Sequence, residues 1–169
     1  MTQSAQPVVG LLTKIYIQTT QGTAISISAG SVTGGTLIGG LTKITPPKHK
    51  WDSADSTVLG QASPVKTHLD TLVDPGECML EGLNESADAG QTALLAAYNL
   101  SPAATYGRNF TFMIVFPIDT VGGQTVQGDQ QTFTATVTSC NVGEAEPGKI
   151  VPLSATLKLQ TIPVYTPGS

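Results

Sequence analysis

Charge is scarce in this sequence. Charged residues make up 12% of its 169 positions, about half of the roughly 25% usual in globular chains. Eight Lys/Arg against twelve Asp/Glu give a net charge of −4, and no basic run is present; Lys43, Lys48 and Lys50 form the densest group. Sustained binding of nucleic acid needs several phosphate contacts at once, so a gripping nucleic-acid protein is excluded. Cysteine is nearly absent too. Cys78 and Cys140 stand far apart, outside any CxxC or Cys/His cluster, which excludes a structural zinc site. No segment approaches 18 consecutive apolar residues, so no membrane-spanning helix is expected. The opening "MTQSAQPVVG" has neither the basic flank nor the apolar run of a signal peptide. Folding is therefore expected in a cytoplasm with both thiols reduced, and the Asn-x-Ser/Thr triplets at Asn84, Asn99 and Asn109 are read as chance matches.

Catalytic constellations are also missing. His49 and His68 lack helical metal-ligand spacing, and the neighbouring His68 and Asp70 have no evident third ligand. Nothing apolar frames Asp52 and Asp55 for a shifted pKa, and Ser86 and Ser139 lack a GxSxG context. With no nucleophile, base and oxyanion donor to combine, neither an enzyme nor a cofactor or metal site is expected. The glycine pairs at Gly34–Gly35 and Gly39–Gly40 lack the GK[ST] ending of a phosphate loop and read as turns.

What is present is β-structure. Threonine is the commonest residue, and abundant Thr and Val suit a pleated surface. "LLTKIYIQ" (11–18) sets Leu11, Thr13, Ile15 and Ile17 on one face; "TAISISAG" (23–30) alternates Ile25 and Ile27 with serines. "VTGGTLIGGLTKI" reads as a short strand between turns. "ECMLEGLNE" (77–85) places Glu77, Met79 and Glu81 opposite Cys78, Leu80 and Gly82. "FTFMIVFP" (110–117) is apolar on both faces, as a central strand should be, and burial of each large side chain contributes roughly 1.5–3 kcal/mol.

The last third alternates most cleanly. "TFTATVTSCN" puts Thr132, Thr134, Thr136, Thr138 and Cys140 on one face and Phe133, Ala135 and Val137 on the other. "PLSATLKLQTIP" sets Leu153, Ala155, Leu157 and Leu159 against Ser154, Thr156, Lys158 and Gln160. These segments predict a C-terminal β-hairpin over 132–162 with one apolar and one hydroxyl-rich face. Its polar face carries almost no charge, which is unusual for plain solvent exposure.

Two stretches depart from this pattern. "DAGQTALLAAYNL" predicts one α-helix over about 88–99. Asp88 is its N-cap and Gln91 completes a capping box. Ala93, Leu94, Ala97 and Tyr98 share a buried face, and Asn99 ends it in a left-handed conformation before Pro102. Between about 45 and 75 the periodicity dissolves into a proline-containing loop with the only tryptophan. Long irregular loops in compact domains are usually functional. Its polar composition with scattered Trp51, Val58, Leu59, Leu69, Leu72 and Val73 predicts an arm that docks on a neighbouring subunit rather than a local Ω-loop.

Four of these features together resemble the tail tube (major tail) proteins of lambda-like long-tailed bacteriophages. They are the early strand "VVGLLTKIYI", "LTKITPP" leading into the arm, "GQTALLAAYNL" running into "YGRNFTFMIVFP", and the terminal pair "FTATVTSCNVGEAEPGKIVPLSATLKLQTIP". The match spans roughly 8–163, and "TPPKHKWDSADS" departs from it where relatives are often acidic. The resemblance implies a single mainly-β domain over 1–169, a β-sandwich or barrel of antiparallel strands with one flanking helix. It implies a non-enzymatic virion protein, assembled in the host cytoplasm as hexameric rings stacked into a tail tube. Its partners would be other copies of itself, a tape measure protein inside the tube, tip or baseplate and terminator proteins at the ends, and DNA in passage, with no membrane insertion by this chain. On that reading Thr134, Thr136, Thr138, Thr156, Lys158 and Gln160 line the channel, where Lys158 is expected to be neutralised by a nearby carboxylate, of its own chain or of a neighbouring subunit. The alternatives are a sheathed-tail or type VI secretion tube, a terminator or hub of the same lineage, and a carbohydrate-binding β-sandwich, for which Trp51 and Tyr106 are the available aromatic platforms.

Overall fold

The computed structural model describes residues 13–28, 31–55, 68–85, 87–103, 107–117, 119–121, 124–126, 128–144 and 146–168. In chain order the strands are β1 (Lys14–Gln18), β2 (Ser26–Ser28), β3 (Ser31–Thr33), β4 (Gly35–Leu37), β5 (Leu41–Thr45), β6 (Lys50–Asp55), β7 (His68–Asp74) and β8 (Glu77–Leu83). Helix α1 (Ala89–Asn99) follows. Then come β9 (Asn109–Val115), β10 (Asp119–Val121), β11 (Gln124–Val126), β12 (Gln130–Val142), β13 (Pro152–Leu159) and β14 (Val164–Thr166). The fold is mainly β with one flanking helix.

The principal sheet is antiparallel, in the order β4-β1-β9-β12-β13-β8-β5, and β14 extends the pairing along the start of β12. Its two outer strands, β4 and β5, are consecutive in sequence, joined only by Ile38, Gly39 and Gly40. That connection spans at most about 14 Å, whereas seven strands laid flat would be about 29 Å across. The sheet therefore rolls until its two edge strands approach each other, although β4 and β5 do not pair. Gly34 and Gly40 have positive φ, as their reading as turn residues requires.

Rolling turns one face inward. Ile15, Ile17, Leu80, Phe112, Ile114, Phe133, Val137 and Leu157 form the core with Leu94 and Ala97 of α1. The strand expected to be central is central: β9 lies between β1 and β12, and Phe112 stacks on Phe133. Its other face is also covered, because the β2–β3 hairpin brings Ile25, Ile27 and Val32 against Met113, Val115 and Tyr16.

The helix starts as expected and ends otherwise. Asp88 Oδ1 accepts from the Gln91 N–H at 2.7 Å, but no capping box forms. The buried Gln91 amide instead accepts from the Glu85 N–H and donates to the Gly39 and Leu83 carbonyls, tying the barrel seam to the helix. Termination does not use a left-handed Asn99: Leu100 turns extended at φ −66° and ψ 139°, consistent with the Pro102 that follows shortly after. Arg108 secures this end. Its Nη2 donates to the Tyr98 carbonyl at 2.7 Å and the Val137 carbonyl at 3.0 Å, and its guanidinium lies over the Tyr98 ring.

A β-bulge between Val137 and Ser139 corrects the expected alternation of β12. One extra residue shifts the facing pattern, so Cys140 joins Phe133, Ala135 and Val137 in the core instead of sharing the threonine face. The greater revision concerns 45–75. Its strands β6 and β7 pair antiparallel, Lys50 with Asp74 and Trp51 with Val73, as a separate two-stranded sheet. Strands β10, β11 and β14, each three residues long, had no period strong enough to read.

Candidate functional site

The outward face of the β9–β12–β13–β8 sheet is built of cross-strand rows. One runs Asn109–Thr136–Lys158–Glu77, and another Ser139–Thr156–Met79–Thr45. A third runs Asn141–Ser154–Glu81–Lys43. Thr111 pairs with Thr134, whose carbonyl accepts from the Gln160 N–H at 2.8 Å. Thr134, Thr136, Thr138, Thr156, Lys158 and Gln160 thus come together on one face. Thr138 sits on the bulge.

The face is a hydrogen-bonded lattice. Thr136 Oγ1 donates to Asn109 Oδ1 at 2.9 Å and Thr138 Oγ1 to the Thr156 carbonyl at 3.1 Å. Gln160 Nε2 reaches Thr136 Oγ1 at 3.4 Å, and the Thr134 N–H donates to Thr161 Oγ1 at 2.9 Å. Below Thr111, the buried Gln18 accepts from the Thr111 N–H and donates to the Thr23 carbonyl. A depression of about 320 Å³ lies here, lined by Gln18, Thr23, Asn109, Thr111 and Thr134 among others.

Charge on this face is confined to its β5–β8–β13 side and compensated there. Lys43 pairs with Glu81 at 2.9 Å. Lys158 lies 3.7 Å from Asp74 Oδ1 and 3.6 Å from Glu77 Oε1. The carboxylates that Lys158 requires are therefore in its own chain, one in β7 and one in β8. Asn109 and Thr111 belong to the same surface and were legible in "RNFTF", where they alternate with Phe110 and Phe112. The partners of Lys158 were not, because the β13–β8 register cannot be read from either strand alone.

The second candidate region is the β6–β7 hairpin. It prolongs the β5–β8 ladder beyond a break formed by Pro46, Pro47 and Pro75, which donate no backbone hydrogen bond. At the break Gly76 has φ +84°, and a Cβ there would lie 2.4 Å from the Lys48 carbonyl oxygen. Only glycine fits this approach. Beyond it Leu72 is 74% exposed and Trp51 53% exposed, while Val73 is half-buried. Val58 and Leu59 lie outside the described residues, as does the side chain of Leu69, although its backbone pairs with Ala54.

Titration is perturbed elsewhere. Burial pushes the Cys78 thiol up to about 12 and raises that of Cys140. The Tyr165 hydroxyl, then the Gly168 N–H, hold the Asp129 carboxyl below its usual range, and Asp129 in turn raises the Tyr165 phenol. This clamp fastens β14 to the start of β12. Among the described residues no three His, Cys, Asp or Glu side chains are grouped to hold a metal ion. The surface offers neutral hydrogen-bonding groups and paired charges.

No family model and no curated protein matches the chain. Among solved structures it is similar to the SPP1 tail tube, at 17% identity and a TM-score of 0.56, covering 95% of this chain and 80% of that one. It is similar to a chain of the six-fold symmetrised anti-feeding prophage (AFP) baseplate at 11% identity and TM-score 0.66, covering 97% and 98%. A third likeness, at 14% identity and TM-score 0.55 over 84% and 92%, is to the tail of an empty GTA particle with C6 symmetry. At such identities the likeness is one of fold: the chain folds as these tail and baseplate components do.

Proposed function

We propose that this chain is a structural virion protein that polymerises as stacked hexameric rings into a phage tail tube, and that the tube conducts DNA. The observation that carries this reading is the outward sheet face: hydroxyls and amides in registered rows, with each lysine beside a carboxylate. A DNA conduit requires such a wall. It wets the passing duplex, and its few phosphate traps are neutralised in place. Thr134, Thr136, Thr138, Thr156, Lys158 and Gln160 line the channel on this reading. The β6–β7 hairpin, with Trp51, Leu72 and Val73, is the arm that docks on a neighbouring copy. Joining sheets between copies also removes exposed strand edges.

The lambda-like branch rests on the sequence motifs. From it follow a tape measure protein within the tube, tip or baseplate and terminator proteins at its ends, and assembly in the host cytoplasm. The likeness to the AFP baseplate chain, nearly complete over both chains, favours a second reading: a ring at the end of a tail rather than in its shaft. Electron microscopy of the concentrated full chain separates the two. Tubes of indefinite length with sixfold rings are expected; single rings or short stacks support the end position, and monomers at every concentration overturn both.

A further inference from the structure

Lys158 has a place in the fold that channel lining does not use. It projects from β13 towards both ends of the turn that joins the hairpin to the barrel, with Asp74 closing β7 and Glu77 opening β8. The same turn is held from two other directions. Asp74 Oδ1 accepts from the Gly76 N–H at 3.0 Å, and the Gly76 carbonyl accepts from the Leu159 N–H at 3.1 Å. Among the described residues, neither hairpin strand pairs with any strand of the barrel.

We propose that Lys158 is a positioning residue, an electrostatic latch that sets the angle at which the β6–β7 hairpin leaves the barrel. Three features make the junction able to pivot. The ladder is broken on both strands, with Pro46 to His49 unpaired on one side and Pro75 and Gly76 on the other. Prolines there cannot restore the missing bonds. The hairpin beyond keeps its own ladder and moves as a unit. Against this freedom stand two bonds of Gly76, one from its N–H to Asp74 at the last residue of β7 and one from its carbonyl to Leu159 of β13; both act at the turn, and neither reaches β7 beyond Asp74. Among the described residues, Lys158 alone bridges from β13 to a side chain on the hairpin, at Asp74. Its distances of 3.6–3.7 Å exceed hydrogen-bond length, so the latch acts through charge. With side chains 41–58% exposed, salt screens it. Arm direction, and with it the capture of a second copy, then depends on ionic strength. That last consequence rests on the tube reading; the latch itself does not.

Spin labels at Ser53→Cys on β6 and Ala96→Cys on α1, in the otherwise full chain, measure the angle as a distance distribution in the monomer. The buried native thiols are spared by the label. One narrow distribution is expected at low salt, broadened at about 1 M salt, where the screening length falls to about 3 Å. Lys158→Met, which keeps the aliphatic stem, broadens it already at low salt, and Lys158→Arg leaves it narrow. Lys43→Met, which breaks the other lysine pair on this face but touches no hairpin residue, changes nothing. The concentration for half-maximal polymerisation rises about fivefold in Lys158→Met. Equal distributions in the parent and Lys158→Met, or equal broadening in Lys43→Met, overturn the latch. A parent that never polymerises overturns the tube reading instead, and the distances still decide the latch.

Discussion

Phe112 is fully buried, its ring centroid 6.0 Å from that of Phe133 in a core that rolls around it. Phe112→Ala leaves a cavity that neighbouring strands cannot collapse into, and should cost about 3–5 kcal/mol by denaturant titration. Asp129 tests a different kind of residue. Its carboxyl is held low first by the Tyr165 hydroxyl and then by the Gly168 N–H. The contribution of such a group is full above the ordinary carboxylate range and is lost as pH falls through the lowered value. The Tyr165 phenol, raised by Asp129, loses its contribution only as pH rises past its own elevated value. The protection of the β14 amides, taken against the intrinsic exchange rate at each pH, should therefore fall in acid, and Asp129→Asn should flatten that dependence while leaving protection in β9 unchanged. Cys78 and Cys140 should resist alkylation near neutral pH in the native chain and react in denaturant, because burial disfavours both thiolates.

Elements were legible in the sequence where a single period governed them. β8 and β13 could be read from their alternating faces, and β9 as a central strand because it is apolar on both. α1 was legible from Asp88 and its buried stripe; Asp88→Ala should lower stability by about 1 kcal/mol in thermal unfolding. Legibility failed where a non-local partner decided the outcome. Gln91 abandons the capping box because the Gly39 and Leu83 carbonyls at the barrel seam need a donor, and that seam exists only in three dimensions. Cys140 changes face because β12 carries a bulge that no residue type announces. The hairpin at 50–74 looked irregular because its apolar residues, Trp51 in β6 and Leu69, Leu72 and Val73 in β7, follow no period of two. As a separate sheet it should be removable. Deletion of 48–72 is expected to leave a folded barrel by circular dichroism that no longer polymerises; normal tubes from that deletion would show the arm dispensable.

For the molecule as a whole, low charge and a patterned outer face belong together. Of the candidate channel residues, the threonines were legible as a hydroxyl stripe. The pairing of Lys158 was not, because Asp74 and Glu77 lie some eighty positions earlier in the chain. If that face lines a channel, replacing Thr134 and Thr136 with lysine turns two neutral rows cationic. Tubes of the double variant should then retain DNA in co-sedimentation, with retention falling steeply as salt rises, while parent tubes retain little. Equal retention by both would place this face away from the DNA path.

The seam at Ile38–Gly40 also has a consequence in time. Joining the two edges of the sheet requires β1 to find β9, with Ile17 opposite Phe112, a contact between residues far apart in the chain. The β5–β8 and β6–β7 ladders need much shorter loops and can close while the rest is still being synthesised. A nascent chain therefore displays the hairpin before it has a barrel to carry it. If the hairpin is the docking arm proposed above, copies emerging from neighbouring ribosomes would meet arm first, before either barrel has closed.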